Sequence, residues 1–319
     1  MASIDIEKPK WDQSTYEGRA RHFLTLTNPL NILASNEDLD KAQKIVTEYR
    51  KGASLDQLNI SEDELWQSKY LYDSAFHPDT GEKMMLLGRM SAQVPMNMTI
   101  TGFMMTFYKS TPAVIFWQWF NQSFNALVNY TNRSGSSPIP LETLGMSYAG
   151  ATSGAVITAL GLNRLARRAP PLVGRLVPLC AVAAANCVNI PLMRFTELRD
   201  GIELQNERGE RLASSRKSAR EAIASVTISR ILMASPSMIL APLVMNTLER
   251  RKTLARYPWA AGPIQVLLCG VCLTFATPLC CALFAQRVSK PVQDLEEDVQ
   301  ETIRSKAPET QIVYYNKGL

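Results

Sequence analysis

Two groups of residues have the types and spacing to do chemistry. The first is the run HPDTGEK, where His77, Asp79, Glu82 and Lys83 place four titratable side chains within seven positions. Pro78 and Gly81 steer the backbone between them. A catalytic site there would need partners, and the one other histidine, His22, lies in a different polar segment. A structural account competes. Pro78 disfavours helical geometry at His77, Gly81 permits a tight reversal, and the Asp79 carboxylate can cap a following helix. On that account His77, Pro78, Asp79 and Gly81 form a helix–turn–helix junction or a gate, not an active site.

The second group is made of amides. In FWQWFNQSFNALVNYTNR, residues 116–133, Gln118, Asn121, Gln122, Asn125, Asn129 and Asn132 share one helical arc of about 100°. No charge appears before Arg133, so this is not a solvated face, which would use Lys and Glu. Three uses fit. The amides could join helices in lipid, they could rest in the interface plane with the neighbouring aromatics, or they could line a hydrated path for a small zwitterion. Related groups elsewhere favour the third. Asn186 and Asn189 lie three apart in AAANCVNIPLMR, and Pro191 frees the carbonyl of Cys187 beside them. Arg230 stands about 12 Å into its apolar stretch, with Pro236 and Pro242 beyond it. Its planar fork suits a carboxylate, and an arginine at such a depth is a functional candidate. The competing account is that it snorkels to the headgroups.

The elements that must position these residues are apolar helices. Gly145–Leu162, Leu176–Met193, Ala222–Met245 and Ile264–Phe284 hold one charge among them, Arg230. Each approaches or exceeds the roughly 20 residues that cross a bilayer core as a helix. Met96–Phe120 is a fifth candidate, interrupted by Lys109 and Pro112. The expected fold is therefore all-α: a polytopic helical membrane protein with about five transmembrane helices after a polar helical region. The expected divisions are 1–95 for that region, 96–285 for the membrane part, and 286–319 for a tail with a short amphipathic helix through Val292, Leu295, Val299 and Ile303.

In the polar region, Ser35 with Asp38 and Ser61 with Glu64 have capping-box spacing. Leu65, Tyr72 and Phe76 mark one face of the second helix. Gly150 and Gly154 in GATSG suit close helix packing. The six cysteines all fall in apolar stretches, and Cys269-x-x-Cys272 has no second pair or histidines to complete a zinc site. No metal or cofactor is expected. The formal charge of +5 includes no long basic run, which gives no support for a nucleic-acid partner. If five helices cross, the short basic connections Arg164–Arg175 and Arg250–Gly262 lie on the N-terminal side and lean towards an N-terminus on the inner side of the membrane.

Together these motifs resemble the sideroflexins, a family of mitochondrial inner-membrane proteins. The likeness rests on HPDTGEK (77–83), KWDQST (10–15), GRMSAQVPMNMTITG (88–102), FWQWFNQSFNALVNYTNRS (116–134), AAANCVNIPLMR (183–194), FATPLCCALF (275–284) and the terminal YNKGL (315–319). It is weakest over Glu203–Lys217. The resemblance implies a multi-span mitochondrial inner-membrane protein, imported without a cleaved presequence, that carries serine and other small neutral amino acids to one-carbon metabolism. It also carries a link to iron metabolism. It implies no catalytic residue. The residues expected at the substrate are Asn121, Asn125, Asn129, Asn186, Asn189 and Arg230, and the partners are serine, the bilayer and the import machinery. Homo-oligomerisation stays open. The alternative is a membrane scaffold or assembly factor for respiratory or iron metabolism, suggested by the large polar N-terminal region.

Overall fold

The computed structural model describes residues 4–77, 80–107, 110–131, 141–166 and 176–318. Both capped helices read in the polar region form, and a helix that was not anticipated precedes them. Helices α1 (Tyr16–Leu26), α2 (Asn36–Arg50) and α3 (Glu62–Ala75) form there, and α2 and α3 pack together. Both anticipated capping boxes close, Ser35 with Asp38 and Ser61 with Glu64. Ile6, Leu39, Val46, Leu65, Tyr72, Ala75 and Phe76 make the core between them.

No α-helix follows HPDTGEK directly. Its backbone doubles back onto the end of α3. His77 N–H donates to Glu82 O at 2.9 Å, Gly81 N–H to His77 O at 2.9 Å, and Met84 N–H to Ala75 O at 2.9 Å. Gly81 takes φ +68°, the left-handed region that favours glycine. The next α-helix starts at Gln93. Pro78 and Asp79 lie outside the described residues.

The fifth apolar candidate is two helices rather than one. The chain leaves helical geometry between α4 (Gln93–Phe107) and α5 (Thr111–Thr131), and Pro112 sits in the first turn of α5. Proline is at home there because its missing N–H has no partner to lose. The amide stripe thus shares one helix with Phe116 and Trp117. Beyond it run α6 (Leu141–Ala166), α7 (Val177–Met193), α8 (Arg216–Arg250) and α9 (Ala261–Cys281).

Glycines fix how these helices meet. A Cβ on Gly102 of α4 would lie 2.7 Å from the Cα of Val266, and one on Gly270 of α9 would lie 2.6 Å from Met98 Sδ. Only glycine permits that approach, and the two contacts make α4 and α9 antiparallel. Gly150 and Gly154 face Val188, so GATSG packs α6 against α7 as expected. Val114, Ala159 and Ala181 form a small core at one end of α5, α6 and α7. Thr131 closes on Gly88 at the other end. The α4–α5 pair is therefore a hairpin that returns the chain to the side of the polar region.

The expectation of about five transmembrane helices is not confirmed. With a hairpin followed by four alternating helices, both chain ends sit at one end of the bundle, here called the near end. The connections after α6 and α8 depart from the far end. Among the described residues two helices are long and apolar enough to cross a membrane by themselves, Arg216–Arg250 and Pro258–Cys281. Val177–Met193 is apolar but shorter.

The all-α expectation also needs correction. A four-stranded antiparallel sheet forms at the near end, in the order β2-β1-β4-β3. Its strands are β1 (Ile202–Gln205), β2 (Arg211–Ser215), β3 (Arg287–Pro291) and β4 (Ile312–Asn316). Asn206 turns the first hairpin, its Oδ1 accepting from Arg208 N–H and Glu210 N–H at 2.9 Å each. Helix α10 (Glu297–Lys306) covers the sheet with Val299 and Ile303, and the first turns of α8 add Ala219 and Ala222. The amphipathic tail helix is present, shorter than expected. Val292 and Leu295 precede it and enter the same core.

Candidate functional site

Helix α5 turns its amides inward. Gln118, Asn121 and Gln122 are buried and Asn125 is half-buried. The side chain of Asn129 and all of Asn132 lie outside the described residues. Gln118 donates from Nε2 to the Met104 sulfur at 3.7 Å, and Gln265 on α9 donates to the Met105 sulfur at 3.6 Å. Thioethers are weak acceptors, and a methionine sulfur is one partner of each of these amides. Their burial has a cost that apolar side chains would avoid. Across α5 and α6, Ser123 and Tyr148 hydroxyls meet at 3.0 Å.

The other expected residues fall at related depths. Met104, Val182 and Met238 form one layer joining α4, α7 and α8, and Gln118 touches it through Met104. By 1.5 Å per residue, Asn121 and Asn186 stand about 5–6 Å from that layer towards the near end. Asn125 and Asn189 stand about 10 Å from it and Arg230 about 12 Å, in the same direction. Asn189 is buried, whereas Asn186 and Arg230 are half-buried. One slab of the bundle thus holds amides from α5 and α7 with a guanidinium from α8. His77 and Gly81 belong to the polar region above α4, outside that slab.

Arg230 is not alone at the near end. Lys317, from the chain's last residues, is 2% exposed. Arg230 and Arg194 lie near enough to act on its charge. Burial, with these two cations adding to it and the Cys281 thiol opposing, pushes the Lys317 ammonium down to about 8. Arg194 ends α7 and binds Glu197 through Nε at 3.0 Å, while its Nη1 donates to Lys317 O at 2.7 Å. Sequence reasoning missed Lys317, Arg194 and Gln265. The two cations come from segments over a hundred residues apart, which no local pattern connects. Gln265 was legible as a lone amide in an apolar helix.

Arg19 joins the polar region to the same end. Its guanidinium is buried and donates to Ala282 O at 2.8 Å, Gln13 O at 3.0 Å and Ser14 O at 2.9 Å. Ala20 and Phe23 pack beside it on Cys281 and Ala282. KWDQST is therefore the loop that sets Arg19 on the C-terminus of α9.

Among the described residues no cluster of histidine, cysteine and carboxylate side chains is arranged to hold a metal. The sideroflexin family model matches residues 5–319. The chain is 61% identical to sideroflexin-1 of Sus scrofa and 60% identical to that of Homo sapiens, each over 99% of this chain and 98% of the relative. It is 58% identical to sideroflexin-3 of Homo sapiens with the same coverage. No solved structure matches. With one family model spanning nearly the whole chain and relatives this similar from end to end, the protein belongs to the sideroflexin family.

Proposed function

We propose that this sideroflexin is a multi-pass carrier of the mitochondrial inner membrane that moves small neutral amino acids, serine foremost, for matrix one-carbon metabolism. The observation that carries the reading is the buried amide face of α5, set at related depths with Asn189 and Arg230. Uncharged amides can bond both ends of a zwitterion. In this account Asn121, Asn125, Asn129, Asn186 and Asn189 bond the amino and hydroxyl groups, and Arg230 takes the carboxylate. HPDTGEK serves as a junction whose fold-back sets the entry of α4, through His77 and Gly81 with Pro78 and Asp79 between them. The sequence holds no nucleotide motif, so a gradient supplies the driving force.

About five apolar segments lie in the membrane, the first as the α4–α5 hairpin. At 15 residues, α4 spans about 22 Å, less than a bilayer core. The number of crossings is even whether the hairpin passes through or re-enters. The stretches Arg164–Arg175 and Arg250–Gly262, which begin at the far ends of α6 and α8, carry four basic residues each. The positive-inside rule then places that end in the matrix and the polar region in the intermembrane space, the reverse of the sequence expectation. A scaffold role has its own support in the near-end layer of helices and sheet, which exceeds what a bare carrier needs.

Uptake of radiolabelled serine by proteoliposomes holding only this protein tests the reading. Uptake well above empty liposomes, reduced by excess unlabelled alanine or glycine and unaffected by lysine, is the expected result. No uptake by folded protein under several imposed gradients would favour the scaffold.

A further inference from the structure

The groups assigned to the substrate lie on α5, α7 and α8, yet α4 carries a polar row of its own. Gln93, Asn97 and Thr101 follow one another at four-residue steps on a helix without a charged side chain. Such steps keep side chains on one helix face. Thr101 in turn stands three and four residues before Met104 and Met105, so it shares their face as well. Those two methionines pack with Val182 of α7 and Met238 of α8, and Met105 accepts from Gln265 Nε2 of α9 at 3.6 Å. The row is therefore aimed into the bundle.

Depth places the row beside the amides. By 1.5 Å per residue, Thr101 stands about 5–6 Å from the Met104–Val182–Met238 layer towards the near end, and Asn97 about 11 Å. The first is the level of Asn121 and Asn186, the second that of Asn125 and Asn189. Gln93 lies about one turn further out. The hydrogen bonds leave groups to spare. Thr99 donates back to Pro95 O at 2.9 Å and Thr106 to Gly102 O at 2.7 Å, a bond that helical threonines readily make. Among the described residues the Thr101 hydroxyl has no partner, although the residue is only 7% exposed. Asn97 Nδ2 donates to Gln93 O at 2.8 Å, and Gln93 Nε2 is buried without a partner. A buried polar group left unpaired costs stability, so packing alone does not account for these residues.

We propose that α4 is a further wall of the amide-lined path and that Thr101 is its specificity-determining residue, bonding the hydroxyl of serine. The inference rests on the carrier reading and adds to it the group that tells serine from alanine. A threonine hydroxyl both donates and accepts, so it pairs with another hydroxyl in either sense. With serine bound, Thr101 gains the partner that the fold withholds; with alanine bound, it meets a methyl group and stays unpaired. Asn97, one turn further out, serves the amino and carboxylate groups that both amino acids share.

Uptake of radiolabelled serine and alanine into proteoliposomes holding the full chain tests this, with kcat/KM measured for each. Wild type should favour serine over alanine by about 3- to 10-fold, the worth of one net hydrogen bond. Thr101→Val, which keeps the shape, should lose that preference through serine, chiefly as a higher KM, while alanine uptake stays within ~2-fold. Thr101→Ser should keep the preference. Asn97→Leu should lower uptake of both amino acids by at least ~10-fold. Thr101→Val should unfold at the same or a higher temperature, because the hydroxyl it removes is unpaired. Thr101→Ala, which adds no bulk, makes the same comparison should the valine variant not fold. No preference in wild type, or an unchanged serine-to-alanine ratio in the Thr101 variants, would overturn the role of Thr101 and leave the carrier intact. Full uptake by Asn97→Leu would take α4 out of the path. Uptake of neither amino acid by folded wild type would overturn the carrier reading and this inference together.

Discussion

Arg230→Ala lowers serine uptake by roughly 30- to 1,000-fold while helical content and unfolding temperature stay close to wild type. The range is about 2–4 kcal/mol, the loss expected when one partner of a desolvated, hydrogen-bonded charge pair is removed. Arg230 is half-buried on α8, about 12 Å from the Met104–Val182–Met238 layer. Asn189 approaches the same depth from α7. Arg230→Lys should keep part of the uptake, because an ammonium retains the charge but not the two-pronged geometry. A headgroup anchor makes the opposite prediction: a snorkelling arginine contributes to seating the helix, and its loss would lower stability before uptake. Uptake kinetics measured beside thermal unfolding separate the two.

The second large effect falls on stability. Arg19→Ala destabilises the protein by about 2–4 kcal/mol and exposes residues 1–75 to protease, as seen by thermal unfolding and limited proteolysis. Three carbonyls lose a charged donor, among them Ala282 O at the C-terminal end of α9. Hydrogen bonds to a charged group contribute about 1.5–3 kcal/mol each, and carbonyls left dry cost more than those that reach water. Gly18 shows how tightly the loop is built, since a Cβ there would lie 1.9 Å from Asp12 O. Arg19→Lys should recover the bond to Ala282 but not all three. An unchanged melting point with unchanged proteolysis would mean that α1 is held to α9 by Phe23 and its apolar neighbours alone.

What could be read in the sequence was local. Ser35 with Asp38 and Ser61 with Glu64 name their own helix starts, because a capping box closes within four residues. Leu65, Tyr72 and Phe76 mark a face that the structure buries. The inward turn of Gln118, Asn121 and Gln122 followed from helical spacing and the absence of charge. The break before Thr111 was visible as Lys109 and Pro112, but unbroken apolar composition on both sides hid that it was a hairpin. That single missed turn reversed the parity of the whole bundle. The sheet was not legible at all. Its strands have four or five residues each, and β1 meets β4 through Gln205 and Tyr314, over a hundred positions apart. Short strands of this kind have little propensity of their own and form because a distant partner completes the ladder. Lys317 was invisible for the same reason, since its burial depends on Gln286 and Arg194.

The central claim is that a small zwitterion passes along the amide face of α5. Its most direct test is serine uptake by proteoliposomes holding Asn121→Leu/Asn125→Leu beside wild type, with both proteins shown to be folded by their melting curves. Leucine is close to asparagine in size and keeps the helix, so the bundle should stand while the polar face is lost. The account predicts uptake by wild type and a loss of at least ~10-fold in the variant, with melting temperature unchanged or higher. Undiminished uptake by the folded double variant would contradict it and assign the amides to helix packing alone.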